Sequence, residues 1–142
     1  MKYLIIILAI LFSIITLKAQ NRSAIEGQWF TEEKESKIEI FEERGQFHGK
    51  LVWLKEPNED GEPKTDQNNP EKSKRDRPLK GLRLLEGFEF KNGQWENGEI
   101  YDPKSGKTYS CMMKLKNQDT LEVRGYLGIS LIGRTTTWTR AN

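Results

Sequence analysis

The sequence predicts an all-β fold: an antiparallel up-and-down meander closed into a small β-barrel, preceded by a signal-peptide helix. Three observations predict it. The only long apolar run, residues 3–17, lies at the N-terminus of a 142-residue chain. The rest alternates apolar and polar residues over short stretches, the period of half-buried strands. Turn-forming pairs such as Arg44-Gly45 and Asn92-Gly93 separate those stretches.

Lys2 supplies a positive charge ahead of the apolar run, and Lys18-Ala19 offers a small residue for cleavage before Gln20. Residues 1–19 therefore read as a secretory signal peptide. A spanning helix needs about 20 apolar residues, so an uncleaved anchor is the poorer reading, although Leu17 sits where cleavage prefers a small residue. Residues 20–142 are expected to form a single domain, exported to the periplasm or secreted, with no stable membrane insertion after cleavage. No Cys follows the run, so lipid modification there is not indicated.

The chain carries 23 basic and 21 acidic residues, and loss of Lys2 and Lys18 balances the two. A balanced chain has no long-range field to recruit nucleic acid or an acidic membrane. The basic stretch 72–77 is interrupted by Asp76 and preceded by Glu71, which makes it a solvated loop. Cys111 is the only cysteine; it reads as a small buried hydrophobe in an alternating strand.

Gly27 precedes a first strand over 28–31. Ile38 and Ile40 mark one face of a second strand over 37–42. After the Arg44-Gly45 turn, Phe47, Gly49, Leu51 and Trp53 are expected on one face of a third strand, with His48, Lys50, Val52 and Leu54 on the other. Residues 55–78 break the pattern with four prolines and almost nothing apolar. So long a polar loop is unusual inside a domain; a mobile tip is expected, with a functional lid as the alternative.

Strand character resumes over 82–90, with Leu82, Leu84, Phe88 and Phe90 in phase. Asn92-Gly93 predicts a tight hairpin, since both residues tolerate positive φ. Trp95, Ile100 and Tyr101 follow, with a second turn expected at Asn97-Gly98. Asp102-Pro103-Lys104-Ser105-Gly106 is a further turn. Tyr109, Cys111, Met113 and Leu115 share one face of the next strand, and Leu121, Val123, Gly125 and Leu127 one face of its successor. A last strand is expected over 130–138, after Gly128. Eight to ten short strands joined by tight turns make antiparallel neighbours. Closure into a barrel removes their exposed edges; a β-sandwich is the structural rival.

Gly27-Gln28-Trp29 resembles the Gly-x-Trp of the first strand in lipocalin-like (calycin) barrels, and Trp138-Thr139-Arg140 ends the last strand with a cation. The resemblance implies that Trp29 plugs the closed end and that Arg140 lies across its ring as a cation–π partner. Over nearly all of residues 20–142 the chain is also similar to the bacterial exported family termed domain of unknown function 2147. That similarity rests on Gly27-Gln28-Trp29, Gly49-Lys50-Leu51-Val52-Trp53, Asn69-Pro70 and Asp102-Pro103-Lys104-Ser105-Gly106-Lys107-Thr108-Tyr109. It continues through Leu121-Glu122-Val123-Arg124-Gly125-Tyr126, Gly133-Arg134-Thr135 and Trp138-Thr139-Arg140. It implies a small exported lipocalin-like barrel and no particular activity.

Catalytic and metal motifs are not expected. His48 is the only histidine and has no ligand-spaced companions. The stretch 56–61 starts with Glu, and Gln67 stands where a calcium loop needs a bidentate Glu. Residues 128–132 lack the second Gly of a nucleophile elbow. Glu99 and Asp102 could approach Glu86 or Glu89 across strands and do acid–base work, but with 21 acids such proximity is expected by chance. No cofactor is expected, and the chain is not read as an enzyme.

The expected function is binding of a small hydrophobic or amphipathic molecule in a barrel cavity. The candidate lining is Ile38, Ile40, Leu51, Leu84, Phe88, Tyr109, Met113, Leu121 and Val123, with Tyr126, Arg124 and Arg134 as orienting groups. Arg124 is out of phase with Leu121 and Val123, which argues for an outward side chain. The alternative is a cell-envelope protein-interaction module whose core is filled; a hydrolase is the weakest reading.

Overall fold

The computed structural model describes residues 22–129 and 132–142. The signal segment expected at 1–19 lies outside the described residues, as do Ser130 and Leu131 at the start of the expected last strand. The described residues form β1 (Gly27–Phe30), β2 (Ser36–Glu43), β3 (Gln46–Leu54), β4 (Asn58–Glu59), β5 (Glu62–Pro63), β6 (Arg83–Lys91), β7 (Gln94–Asp102), β8 (Lys107–Asn117), β9 (Thr120–Tyr126) and β10 (Gly133–Arg140). All but β4 and β5 close into one antiparallel barrel in the order β1-β10-β9-β8-β7-β6-β3-β2, with β2 returning to β1. The fold is a lipocalin-like eight-stranded barrel, which β1 and β10 close through the pairs Trp29–Arg140 and Phe30–Thr139.

Tight turns gather at one end. Arg44-Gly45 and Asn92-Gly93 both hold positive φ, as type I′ hairpins require. The opposite end carries the connections 31–35, 55–82, 103–106 and 127–132. The hairpin end is packed solid. Trp29, Ile40, Phe47, Leu85, Phe88, Trp95, Cys111, Met113 and Leu121 are all buried in one cluster. Burial pushes the Cys111 thiol up to about 12, which leaves it an inert core group at neutral pH.

Three departures from simple alternation trace to bulges, each an extra residue that resets the pleat. Lys37 faces Trp53 and Ile38 faces Leu51, so Val52 is inserted. Leu51 therefore points inward, while Trp53 turns outward, edge-on to Phe30 and beneath the Lys37 ammonium. Trp53 thus does not share the Leu51 face, as alternation alone predicts; Leu54 packs on the core instead. In β6, Phe88 pairs with Phe47, Leu85 with Gly49 and Arg83 with Lys50. Glycine at 87 takes φ of 73° within this irregular stretch. Leu85, absent from the expected face, is the fully buried residue, and Leu84 is only partly buried. Finally, Asn97-Gly98 is not a turn. Trp95 faces Met113 and Gly98 faces Cys111, which makes it a bulge inside β7.

Residues 55–78 are built rather than structureless. β4 and β5 form a hairpin through Asp60-Gly61, and Thr65 bridges Pro78. Backbone bonds Asp66 N–H to Arg77 O (2.9 Å) and Leu79 N–H to Lys64 O (3.0 Å) double the segment back on itself. The expectation of a mobile tip weighed only apolar anchors. The anchors here are polar, centred on the buried side chain of Asp66.

Candidate functional site

Inside the barrel, volume divides unequally between the two ends. The hairpin end is filled by large aromatics, whereas toward the open end aliphatic residues and Trp138 line hollows. A cavity of about 560 Å³ lies there, with Ile38, Leu51, Leu54, Leu84, Ile100 and Trp138 on the barrel side. Loop residues Glu59, Lys64, Thr65, Gln67 and Asn68, with Leu79, close the other side. A second hollow of about 610 Å³ shares Ile100, Lys104 and Trp138 with the first and extends along Tyr109, Val123, Gly125, Tyr126, Leu127, Ile132 and Arg134. Each is within the span of about 300–1,000 Å³ usual for small-molecule sites.

The structure therefore gathers some of the sequence-predicted lining residues and separates others. Ile38, Leu51, Leu84, Tyr109 and Val123 border the hollow region. Ile40, Phe88, Met113 and Leu121 face inward but sit in the filled half, against Trp29 and Trp95. Their alternation shows inwardness, while depth along the barrel decides between cavity and core. Tyr126 and Arg134 border the second hollow. The Arg124 guanidinium donates to Thr135 Oγ1 at 3.0 Å on the exposed surface. Leu54, Leu79, Ile100 and Trp138 line the cavity without having been singled out. Leu54 is concealed by the Val52 bulge and Leu79 lies outside any strand. Trp138 was legible only as part of the terminal motif.

At the hairpin end, Arg140 covers Trp29, its guanidinium carbon 4.2 Å from the ring centroid. The same guanidinium donates to the carbonyls of Gln118 (2.8 Å), Glu26 (2.9 Å) and Ala24 (2.7 Å). Trp29 Nε1–H donates to Ile25 O at 2.8 Å, so the buried indole is satisfied.

At the open end, the outer loop is held over the cavity by a polar knot. Tyr101 Oη donates to Asp66 Oδ1 at 2.6 Å. Asn69 Nδ2 (2.8 Å) and Arg77 Nε (3.0 Å) donate to Asp66 Oδ2. Burial, then the adjoining Asp66 carboxylate, pushes the Tyr101 hydroxyl up to about 12. A second tie runs from Asn68 Nδ2 to the carbonyls of Pro103 (3.2 Å) and Lys104 (3.1 Å). Gly106 at φ 72° permits this approach, because a Cβ there would collide with Asn68 O.

Lys104 spans the mouth. Its ammonium lies 3.3 Å from Glu35 and 3.7 Å from Glu33, both on the β1–β2 connection. The Glu35 carboxylate, by its hydrogen bond, holds the ammonium above its ordinary value. All three side chains are mostly exposed, so the pair is a weak clasp rather than a fixed bar.

Two of the groups considered for chemistry make local hydrogen bonds. His48 is buried, and its Nδ1 accepts from Gly87 N–H at 3.3 Å across the β6 irregularity. Asp102 accepts from Lys104 N–H (3.1 Å) and Ser105 Oγ–H (2.8 Å) within its own turn. Glu86 and Glu99 face each other across β6 and β7, but on the exposed surface, away from the cavity. Among the described residues, no group of three or more His, Cys, Asp or Glu is placed to hold a metal ion.

A half-filled eight-stranded barrel with a capped indole at one end and a hollow at the other is a lipocalin-like architecture. Residues 27–140 match the family described as an uncharacterized protein conserved in bacteria, domain of unknown function 2147, and the chain belongs to that family. Among solved structures, it is similar to "Protein HP1028 from the human pathogen Helicobacter pylori", which is described as belonging to the lipocalin family. That similarity has a TM-score of 0.75 at 25% identity, over 83% of each chain. No curated protein matches significantly.

Proposed function

We propose that the protein is exported and binds a small hydrophobic or amphipathic molecule in the open half of its barrel. One observation carries the reading: the core stops halfway. Ile40, Phe47, Phe88, Trp95, Met113 and Leu121 are buried at the hairpin end, whereas toward the other end Ile38, Leu51, Leu84 and Trp138 face a polar loop across about 560 Å³. The two-sided lining suits an amphiphile. Its apolar part would lie against Ile38, Leu84, Ile100 and Trp138, and its polar end would meet Gln67, Asn68 and Lys104. The filled-core interaction module describes only the hairpin half, and the outer loop it relies on is tied into the barrel by Asp66. The lipocalin membership of the Helicobacter pylori neighbour supports the same class of function.

The test is titration with the neutral fluorophore N-phenyl-1-naphthylamine. The chain lacking residues 1–19 is suitable, because every barrel strand and the Arg140–Ala24 tie lie within the remainder. Saturable fluorescence gain with energy transfer from tryptophan is expected, and Leu84→Trp, which adds bulk on the cavity wall, should abolish it. Absence of saturable binding, or full binding by Leu84→Trp, would remove the cavity reading.

A further inference from the structure

At the open end, the β9–β10 connection displays aliphatic side chains to solvent. Leu127 is 63%, Ile129 58% and Ile132 67% exposed. Such residues are normally scattered when exposed, and a cluster marks a contact surface. Two further features say what the contact is. Leu127 and Ile132 also border the second hollow with Ile100, Val123 and Trp138, so apolar side chains reach from inside the barrel to its outer lip, while Glu32, Glu33, Asp102 and Lys104 form the polar part of the same lining. Immediately behind the aliphatic tip, Gly133 pairs with Tyr126 and Arg134 with Gly125. A tip of Leu and Ile backed by a Tyr and an Arg is the sequence of depths a bilayer demands. Aliphatics enter hydrocarbon, while the ring and the guanidinium remain at the headgroups. A protein partner would instead favour Trp, Tyr and Arg at the centre of the contact, with Leu under-represented.

We propose that this lip docks reversibly onto a phospholipid bilayer, so that the hollow bounded by Tyr109 and Tyr126 opens toward hydrocarbon rather than water. The contact is peripheral. The three aliphatic side chains among the described residues reach only the outer acyl region, and Arg134, exposed beside them, meets phosphate. The proposal goes beyond ligand binding and does not require it. If both hold, an apolar ligand passes between membrane and barrel without crossing water.

Vesicle flotation tests it. The chain lacking residues 1–19 is mixed with phosphatidylcholine vesicles, with and without phosphatidylglycerol, at low and high salt. Flotation with neutral vesicles is expected, strengthened modestly by phosphatidylglycerol and largely insensitive to salt. The double variant Ile129→Ser, Ile132→Ser should reduce partitioning at least about tenfold for each aliphatic removed from hydrocarbon. Both side chains are exposed, so the double variant should keep its melting curve, and Ile129→Ser alone, at a position that borders neither hollow, should also keep N-phenyl-1-naphthylamine binding in vesicle-free solution. Ile129→Trp should show a blue-shifted emission increment on vesicles. Failure to float, equal flotation of the double variant, or binding confined to anionic vesicles and lost in salt would overturn the proposal. So would a concentration-dependent dimer that forms in place of vesicle binding and is abolished by the serine substitutions. Loss of fluorophore binding with flotation intact would instead remove the cavity reading and leave the lip standing.

Discussion

Tyr101 and Asp66 meet at 2.6 Å, hydroxyl to carboxylate, and through that contact a polar loop becomes a wall of the barrel. Asp66 is fully buried yet lies in a segment with almost no apolar anchor. Its carboxylate is compensated by Tyr101, Asn69 and Arg77, as a buried charge must be. Tyr101→Phe removes one donor and should cost about 1–3 kcal/mol. The loss should appear first as faster amide exchange in residues 64–69 rather than in β8 or β9.

The same contact predicts an alkaline signature. The Tyr101 hydroxyl is pushed up to about 12 in the folded protein, against about 10 for an unfolded tyrosine. A folded value above the unfolded one means the stabilisation is complete below about pH 10 and is lost as pH rises toward 12. Lysines titrate in the same window, so the informative quantity is a difference. The stability gap between the native chain and Tyr101→Phe should narrow from pH 9 to pH 12. A gap that stays constant would mean the hydroxyl is not held protonated by its surroundings.

The cap at the other end should behave as one unit. Trp29→Ala opens a large void in the filled half and should cost about 3–5 kcal/mol. Arg140→Lys keeps the charge but cannot span the carbonyls of Gln118, Glu26 and Ala24 with one ammonium. A loss of about 1–3 kcal/mol is expected, read by urea denaturation. If Arg140→Lys melts with the native chain, the three carbonyl contacts contribute nothing.

Inward residues should divide by depth when enlarged. Leu84→Trp adds bulk where the barrel is hollow, so fluorophore binding should fall while the melting temperature changes little. Met113→Trp adds it among close-packed aromatics and should destabilise by about 1–3 kcal/mol. Equal effects of the two substitutions on binding and on stability would contradict the division into a filled and a hollow half.

Much of this was legible in the sequence, for identifiable reasons. Asn92-Gly93 marks its hairpin because both residues hold φ that few others tolerate. Tyr109, Cys111, Met113 and Leu115 alternate through β8 because that strand keeps its phase across the inward face. Gly27, Trp29 and Arg140 are legible as a motif. Leu85, Leu54 and the outward Trp53 were not, since one inserted residue reverses which neighbour faces inward. Nor was the outer loop. Asp66 becomes an anchor only through Tyr101, which lies 35 residues away in sequence. The cavity was legible as a set of inward residues and not as a place, since depth along a barrel has no period.

The Gly98–Phe88 contact shows how a bulge sets packing, and it can be tested directly. Asn97 takes φ of 60°, and the extra residue delivers Gly98 to the inner face of β7 opposite Cys111. The Phe88 ring then lies on bare backbone: a Cβ at position 98 would fall 2.4 to 2.5 Å from its carbons. Neither partner can withdraw easily, because Phe88 is itself fully buried. Gly98→Ala should therefore destabilise by about 1–3 kcal/mol through overpacking, although alanine is otherwise the easier residue to order. Phe88→Leu alone should also destabilise, by loss of buried ring. Combined, the two should cost less than their sum, because the smaller side chain makes room for the methyl group. A double-mutant cycle in urea measures that coupling. Simple additivity would mean that the ring does not rest on the glycine, and that the β7 bulge has no role in filling the lower half of the barrel.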